Sequence, residues 1–461
     1  MKTSHPGRFL LAFLLSALAV SAAENVLVAT KPTATWKSYP TRTLADLPAV
    51  ASAPADAGLD RFGGRTDRRA RASGFFRAER IDGRWWLVDP EGGLCINRSV
   101  VSVTMMRTAG GQAALTKKFG GEAQWAAQTA ALLHDFGFNG LGAWTDTTRL
   151  IAAPQKLAYT HIWNFMSSYG KKRGGTYQLP GHTGYPKDAI FVFDPAFAAF
   201  CDEHAKQLAA TKDDPWLLGH FTDNELPLKR EALANFLALP EQDPGLLAAQ
   251  KFLRERHGPA ATAKDITDDD KQAFLALVVD RYLGTVTRAI RKYDPNHLVL
   301  GSRFHGAQVK YPETFRAAGK YLDVVAVNYY NAWSADRELV AMWERESGKP
   351  CLITEWYAKG MDVPGLANVS GAGWVVKTQQ DRGRFYENFT LSLLETKTCV
   401  GWHWFKYMDN DPDDTKADPS NRDSNKGIVS NRYEPYADLL AAMKRINEHT
   451  YRVIDHFDAR R

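Results

Sequence analysis

The sequence lacks several features that would point to common functional classes. Only four cysteines occur in 461 residues, and none has the CxxC or histidine-rich spacing of a zinc site. No glycine-rich GxGxxG loop follows a strand-like run, so a dinucleotide-binding fold is not indicated. The formal net charge is only +6, and the one basic cluster, from 65 to 71, has no interleaved aromatic residues. That pattern argues against a nucleic-acid partner.

The N-terminus carries the only segment that resembles a targeting signal. Lys2 and Arg8 precede an apolar run from 9 to 20, and the small residues 21–23 follow it. These are the three parts of a secretory signal, so we predict that residues 1–23 are removed and that the mature protein is secreted or periplasmic. An uncleaved anchor is the alternative. Nothing later approaches the roughly 20 apolar residues of a membrane-spanning helix, so no membrane contact is expected after cleavage.

The four cysteines, Cys95, Cys201, Cys351 and Cys399, are expected to be core residues. Three of them lie in apolar, strand-like runs, where cysteine behaves as a small buried hydrophobic residue. Free thiols are therefore predicted, although export would permit a disulfide between Cys351 and Cys399 as the alternative.

The chain divides into an arm and a long patterned region. Residues 24–74 are rich in Ala, Pro, Thr and Arg without periodicity, which indicates an N-terminal arm or linker. Residues 75–461 are predicted to form one catalytic unit. It begins with a β-hairpin, in which two alternating strands are joined by the turn residues Asp82 and Gly83.

After the hairpin, short apolar runs alternate with amphipathic ones. Eight runs are predicted as strands: 94–103, 137–144, 158–165, 217–222, 298–304, 324–330, 351–355 and 400–405. Six stretches between or after them have the period of helices: 123–136, 196–211, 271–293, 337–348, 379–397 and 435–449. Strict alternation implies parallel strands with right-handed crossovers, and eight units close a (β/α)8 TIM barrel. A doubly wound open sheet is the alternative.

Two of the predicted strands end in acidic residues. The fourth runs into Asp223-Asn224-Glu225, and the seventh ends in Glu355. Active sites of such barrels lie at the C-terminal ends of the strands, and the fourth and seventh strands face each other across the barrel. Two facing carboxyl groups are what hydrolysis of a glycosidic bond requires, one as acid and one as nucleophile. The alternative is that each glutamate caps the helix that follows it.

These motifs resemble those of clan A retaining glycoside hydrolases. The matching runs are Thr222-Asp223-Asn224-Glu225, Thr354-Glu355-Trp356-Tyr357 and residues 401–410, GWHWFKYMDN. Within the clan they are most similar to the β-agarases of glycoside hydrolase family 50, over about residues 75–449. The family's enzymes carry a sizeable N-terminal carbohydrate-binding module, whereas about fifty poorly patterned residues precede the hairpin here. Exo or endo action and agarose itself therefore stay open.

The resemblance implies roles for several residues. Glu225 is expected to be the general acid/base and Glu355 the nucleophile, while Asn224 binds the sugar 2-hydroxyl. Tyr330 matches the tyrosine that orients the nucleophile.

Other candidate substrate-binding residues follow from strand periodicity. Asn328 shares a face with Tyr330, so either side chain could point into the barrel mouth. Trp356, Trp404 and Trp402 are expected in the floor or wall of a glycan cleft. Arg303 and His305 share a face of the fifth strand; they contact sugar hydroxyls or, alternatively, form an internal salt bridge.

The sequence thus predicts an enzyme that needs no cofactor and no metal. The aspartate-rich segment 409–430 lacks an EF-hand pattern, so a solvated loop over the cleft is favoured over a calcium site. The expected partner is a polysaccharide or oligosaccharide, with an agarose-type β-galactan cleaved by double displacement as the favoured substrate. The alternatives are hydrolysis of another β-linked glycan and glycan binding without turnover. The oligomeric state is left open.

Overall fold

The computed structural model describes residues 24–460. The predicted signal segment, residues 1–23, lies outside this range. The strands are β1 (Glu24–Ala29), β2 (Lys37–Thr41), β3 (Arg65–Arg69), β4 (Arg77–Ile81), β5 (Arg84–Val88), β6 (Gly93–Cys95), β7 (Asn97–Val100), β8 (Gly140–Leu141), β9 (Ala158–Ile162), β10 (Tyr177–Leu179), β11 (His182–Gly184), β12 (Leu217–Phe221), β13 (Leu298–Gly301), β14 (Val325–Asn328), β15 (Cys351–Glu355), β16 (Ala358–Gly360), β17 (Trp374–Val376) and β18 (Cys399–Trp404).

Helices alternate with these strands. They are α1 (Pro48–Ala51), α2 (Ala109–Phe119), α3 (Glu122–Asp135), α4 (Thr147–Leu150), α5 (Phe165–Arg173), α6 (Phe197–Ala205), α7 (Ala232–Leu237), α8 (Pro244–His257), α9 (Asp268–Tyr293), α10 (Pro312–Ala318), α11 (Arg337–Ser347), α12 (Gln379–Glu395), α13 (Ala437–Asn447) and α14 (Thr450–Asp458). None of the helices between residues 24 and 460 combines the length and the apolar character that crossing a membrane requires.

Eight parallel strands form a (β/α)8 barrel, as predicted. Their order in the sheet is β13-β12-β9-β8-β7-β18-β15-β14. The two outer strands of this sequence meet through a parallel bridge between Phe304 and Val327, so the sheet closes on itself. All eight predicted strands are confirmed, although several end earlier than their apolar runs do. A doubly wound open sheet is therefore excluded.

Helix boundaries follow local capping signals. Helix α9 begins with a capping box, in which Thr267 accepts from the Asp270 amide and Asp270 accepts from the Thr267 amide. It ends at Tyr293, as the predicted helical stretch 271–293 does, and Asp294 is its C-cap. The same reciprocal bonds between Thr378 and Asp381 start α12. Each capping box satisfies two backbone donors that the first turn leaves free.

The first predicted strand, 94–103, is divided in two. Residues of β6 pair with β5 and β3 in an antiparallel sheet of order β3-β6-β5-β4, and the chain passes through Ile96 into barrel strand β7. The predicted hairpin is β4 and β5, and its turn residues Asp82 and Gly83 both have positive φ. One apolar cluster joins Phe62 and Phe76 from this region to barrel residues such as Leu218. The small sheet therefore closes the N-terminal end of the barrel.

The segment predicted as an arm or linker is regularly folded over part of its length. Strand β1 pairs antiparallel with both β2 and β17, in a sheet of order β16-β17-β1-β2. Trp333 donates to Thr41 at 2.9 Å, and Arg42 binds Glu395 through two hydrogen bonds of 2.8 and 3.0 Å. The arm thus packs on the segments that follow the sixth and seventh barrel strands. The pairing of β1 with β17 joins residues more than 300 positions apart, and no local sequence pattern reveals it.

The four cysteines are buried free thiols, as predicted. Cys351 and Cys399 lie opposite each other on the paired barrel strands β15 and β18. These two cysteines, which the sequence allowed to form a disulfide as the alternative, are therefore free thiols.

Candidate active site

A cleft opens at the C-terminal end of the barrel strands. It encloses a cavity of about 630 Å³. The residues that line it are Ser102, Arg107, Trp144, Pro180, Gly181, His182, Glu225, His305, Tyr330, Glu355, Tyr357, Gly371, Ala372, Phe405, Asp418, Ser420, Asn421 and Lys426. Both predicted catalytic glutamates are in this set. Their side chains reach the cleft from the fourth and seventh barrel strands, as the spacing along the sequence predicts.

Glu355 is the last residue of β15 and is only 6% exposed. One carboxylate oxygen, Oε1, lies 2.9 Å from the Arg303 guanidinium. The other, Oε2, accepts a hydrogen bond of 2.6 Å from the Tyr330 hydroxyl. A guanidinium on one oxygen and a phenol on the other favour the ionised form and fix the orientation of the carboxylate.

Glu225 follows β12 and is 9% exposed. Its Oε1 accepts from the Asn328 amide at 2.9 Å. Its Oε2 faces two histidines, with His305 Nδ1 at 3.6 Å and His182 Nδ1 at 3.8 Å. The carboxyl group therefore has one neutral donor within hydrogen-bond distance, whereas Glu355 has a cation and a phenol.

A polar network behind the cleft connects the two glutamates. Asn224 Oδ1 accepts from Arg303 at 3.0 Å and from Asn328 at 3.1 Å. Arg303 is fully buried and also donates to the Thr354 carbonyl at 2.8 Å. The side-chain oxygen Oδ1 of Asn328 accepts from the Thr354 hydroxyl at 2.8 Å. The network thus fixes both carboxyl groups from behind and leaves their other sides toward the cavity.

Burial raises the pKa of both glutamates above the ordinary value of the residue. For Glu225 burial is the largest effect, and the Asn328 amide opposes it. For Glu355 burial is again the largest effect; the neighbouring Glu225 adds to it, while Arg303 and Tyr330 lower the pKa. Since the anion of Glu355 has the stronger partners, Glu225 is the group that retains its proton when one of the two ionises.

The surroundings of the two histidines beside Glu225 favour the neutral imidazole. Burial lowers the pKa of His305 to about 4, and burial also lowers the pKa of His182. Neutral imidazoles do not supply the positive charge that would favour the Glu225 anion. The arrangement is therefore suited to a protonated carboxyl group at Glu225 and a carboxylate at Glu355.

The three tryptophans predicted in the cleft do not line it. Trp356, Trp402 and Trp404 are each at most 1% exposed. Trp356 stacks on Phe389 of α12 at 4.6 Å, and Trp402 donates to the hydroxyl of Tyr386 on the same helix at 2.7 Å. They pack between the barrel and its helices. Their burial prevents stacking on a sugar in this conformation, so this part of the prediction is corrected.

Other aromatic residues form the walls instead. Trp144, Tyr357 and Phe405 line the cavity, with Trp144 packed edge-on to Phe405 at 6.4 Å. The Arg303 guanidinium covers the Trp144 ring at 4.3 Å. Trp144 is the last residue of the predicted strand 137–144, but nothing in the sequence ranks it above the other aromatic residues.

The Arg303 and His305 predictions have different outcomes. Arg303 contacts Glu355 rather than the open cavity, which is the internal ion pair that the sequence left as the alternative. His305 lines the cavity.

A small hairpin and the segment 409–430 cover part of the cleft. The hairpin of β10 and β11 carries Gly181 and His182 over the cavity. Asp418 accepts from the Gly181 amide at 2.8 Å and from the Gln178 side chain at 2.6 Å. Lys426 lies beneath, where its ammonium donates to the Ser420 carbonyl at 2.7 Å. Sequence reasoning missed His182 because it lies on a loop insertion and not at a strand end.

Segment 409–430 lies over the cleft as predicted, but it is solvated only in its middle: residues 412–423 are exposed or half-buried, whereas both ends are largely buried. Asp409 is 1% exposed and accepts from Asn425 and from the Gly427 amide. Asp411 is also buried and binds Arg432 at 2.8 Å. Because protein donors bind both carboxylates, these contacts hold the segment against the barrel.

One cluster among residues 24–460 has the composition of a metal site. His220, Asp294 and His297 bring three ligand atoms within 4.8 Å of one another. Each histidine binds Asp294, at 2.8 and 2.7 Å. The remaining ring nitrogens contact Trp163 Nε1 at 3.0 Å and the Asp214 carbonyl at 2.9 Å. Because both imidazoles are already occupied at each nitrogen, the cluster is a hydrogen-bonded structural unit.

Residues in the left-handed backbone region mark most of the strand ends around the cleft. The non-glycine residues with φ between 51° and 61° at six of these ends are Ser102, Trp144, Asn164, Glu225, Arg303 and Asn331. This conformation is costly for residues with a Cβ atom and is concentrated at functional sites. Three of these residues, Ser102, Trp144 and Glu225, line the cavity.

Comparisons with known proteins support the same family resemblance. The chain is 29% identical to a protein whose crystal structure is named BpGH50; the match covers 94% of this chain and 96% of that one, with a TM-score of 0.82. It is 26% identical to β-agarase B of Vibrio sp. strain JT0107 over 85% of this chain, and 28% identical to β-agarase A of the same strain over 72%. No protein-family model matches.

The lengths of the two agarases differ from that of this chain. It spans 50% of β-agarase B and 36% of β-agarase A. The similarity to BpGH50, in contrast, extends over nearly all of both proteins. Nearly the whole length of this chain therefore shares its fold with a solved structure.

Proposed function

We propose that this protein is a retaining glycoside hydrolase that cleaves β-galactosidic linkages in an agarose-type galactan. The observation that carries the proposal is the pair Glu225 and Glu355, which face one cavity with unequal partners. The similarity to two β-agarases supports the choice of a galactan. We also propose that the protein acts outside the cytoplasm, as the signal-like residues 1–23 predict.

The proposed reaction has two steps. In the first, Glu225 donates its proton to the glycosidic oxygen while Glu355 attacks the anomeric carbon, so that the leaving sugar departs and a covalent glycosyl-enzyme forms. In the second, Glu225 takes a proton from water, whose oxygen attacks the anomeric carbon and releases Glu355. The Arg303 and Tyr330 donors hold Glu355 ionised and oriented before attack.

Further residues are proposed to contact the sugar. The Asn224 oxygen is occupied by Arg303 and Asn328, which directs its amide NH₂ group away from them and makes it a donor for the 2-hydroxyl. His305 and Trp144 line the same cavity as the two glutamates. A sugar ring in this cavity meets an aromatic wall and a set of fixed hydrogen-bonding groups, as glycan recognition requires.

The test is a substrate screen combined with stereochemistry. The protein is incubated with agarose, porphyran, other β-galactans and aryl glycosides, and proton NMR records the anomer that forms first. Retention is expected. Glu225→Ala should lower kcat by about 10²–10⁴-fold, the usual contribution of a general acid/base, and Glu355→Ala should abolish turnover. Azide should restore activity of Glu355→Ala with an inverted glycosyl azide as product. An inverted first product from the wild-type protein would refute the mechanism.

A further inference from the structure

The N-terminal arm reaches the cleft through one lysine. Lys31 follows β1, and its ammonium donates to the Val369 carbonyl at 2.7 Å and to the Gly371 carbonyl at 2.8 Å. Gly371 and Ala372 form part of the cleft wall. A side chain more than 300 residues away in sequence therefore holds backbone atoms of the wall directly.

The wall segment, residues 368–373, is fixed from two sides. Carbonyl groups on one side face Lys31 and the buried Lys359, whose ammonium donates to Asn368 and Ser370, each at 3.2 Å. On the other side, the Asp423 carboxylate accepts from the Val369 and Ser370 amides at 3.0 and 2.8 Å. The segment has little regular structure of its own, so these contacts determine its position.

The wall segment is tightly packed against other residues that line the cleft, so its position affects the shape of the cleft. Gly371 has φ of 74°, and a Cβ atom there would lie 2.6 Å from the Lys426 ammonium and 2.7 Å from the Tyr357 hydroxyl. Tyr357 and Lys426 both line the cavity. A shift of the wall would therefore move or release the two side chains that it presses on.

Lys359 contributes less than Lys31 to holding Gly371, because its ammonium lies 3.4 Å from the Gly371 carbonyl oxygen and that of Lys31 lies at 2.8 Å. Burial, together with repulsion from Lys31, lowers the pKa of Lys359 to about 7, so its charge is not permanent at neutral pH. Lys31 is half-buried and is anchored by the pairing of β1 with β2 and β17.

We infer that Lys31 is a positioning residue for substrate binding, and that the N-terminal arm is a structural part of the cleft. This inference rests on the proposed function only for its kinetic consequence. The glutamates are held by Arg303, Asn328 and Tyr330, none of which contacts Lys31. Loss of the lysine should therefore weaken substrate binding more than the chemical step.

The experiment compares Lys31→Met, which keeps the length of the side chain, with Lys31→Arg and a control, Lys37→Met. Lys37 lies exposed on β2 of the same sheet. Hydrogen exchange followed by mass spectrometry reports on the Val369 and Ser370 amides, with a peptide spanning 324–330 as internal reference. Lys31→Met should exchange faster at 368–373 only, Lys31→Arg should restore much of the protection, and Lys37→Met should match the wild type.

Kinetics on the substrate found in the screen give the second measurement. Lys31→Met should raise KM about tenfold, equivalent to ~1.4 kcal/mol, with kcat within about twofold of wild type. Unchanged exchange at 368–373, faster exchange throughout the protein, or a fall in kcat at constant KM would each overturn the inference. If the wild-type protein hydrolyses no glycan, the proposed function fails, whereas the exchange experiment still decides whether Lys31 holds the wall.

Discussion

Removal of one hydroxyl group offers a sharp test of the site. Tyr330→Phe deletes the donor that lies 2.6 Å from Glu355 Oε2 and changes nothing else in the shape of the side chain. Burial already raises the pKa of Glu355, and the Tyr330 hydroxyl is one of the groups that lower it. Its loss should therefore raise that pKa further, which reduces the ionised fraction of the nucleophile at a given pH.

The size of the effect follows from the bond that is lost. A hydrogen bond to a charged group contributes about 1.5–3 kcal/mol, and one pKa unit corresponds to about 1.4 kcal/mol. The pKa should therefore rise by about one to two units. Since the nucleophile must be ionised, the acidic limb of kcat/KM should move to higher pH by the same amount. Activity should fall about 10- to 100-fold below that limb and recover above it.

The assay is a pH profile of kcat/KM for Tyr330→Phe and for Tyr329→Phe as control. Tyr329 is the preceding residue, and its hydroxyl accepts from the Asp336 amide at 3.0 Å, away from Glu355. The control should leave the limb in place. An equal loss of activity at every pH, with no movement of the limb, would refute the idea that Tyr330 stabilises the Glu355 anion.

Two further predictions concern packing and the cleft cover. Trp404→Ala should lower the free energy of unfolding by about 3–5 kcal/mol in urea titrations, because a buried ring is replaced by a cavity. KM of the folded fraction should stay constant; a raised KM at unchanged stability would instead place Trp404 in the cleft. Asp418→Ala removes the acceptor for Gly181 and Gln178, so KM should rise for polysaccharide but not for an aryl glycoside. Equal effects on both substrates would contradict a covering role.

The barrel was predictable because its signals are local. Strand-like runs alternate with helical ones, and some of the helices begin with their own capping residues, such as Thr267 and Asp270 of α9. Glu225 and Glu355 were predictable for the same reason, since the end of a parallel strand in a barrel has a known location. The order of the strands then brought them to one cavity.

The tryptophans were wrongly placed for a physical reason. Alternation along a strand separates two faces, but in a barrel covered by helices both faces are apolar. The sequence of β18 therefore puts Trp402 and Trp404 on one face without indicating whether that face meets the cavity or α12. The fold of the arm was missed for another reason, because β1 has its partner in β17, far away along the chain.

The residues with left-handed backbone at the strand ends have a consequence for the stability of the protein. Glu225 is one of them, with φ of 51°, and a non-glycine residue in this region costs about 1–2 kcal/mol. The proposed acid thus occupies a position where glycine would fold more comfortably. The free-energy cost of the left-handed conformation therefore falls at the rim of the barrel, where the proposed catalytic acid lies. The paired strands beneath the rim do not bear this cost.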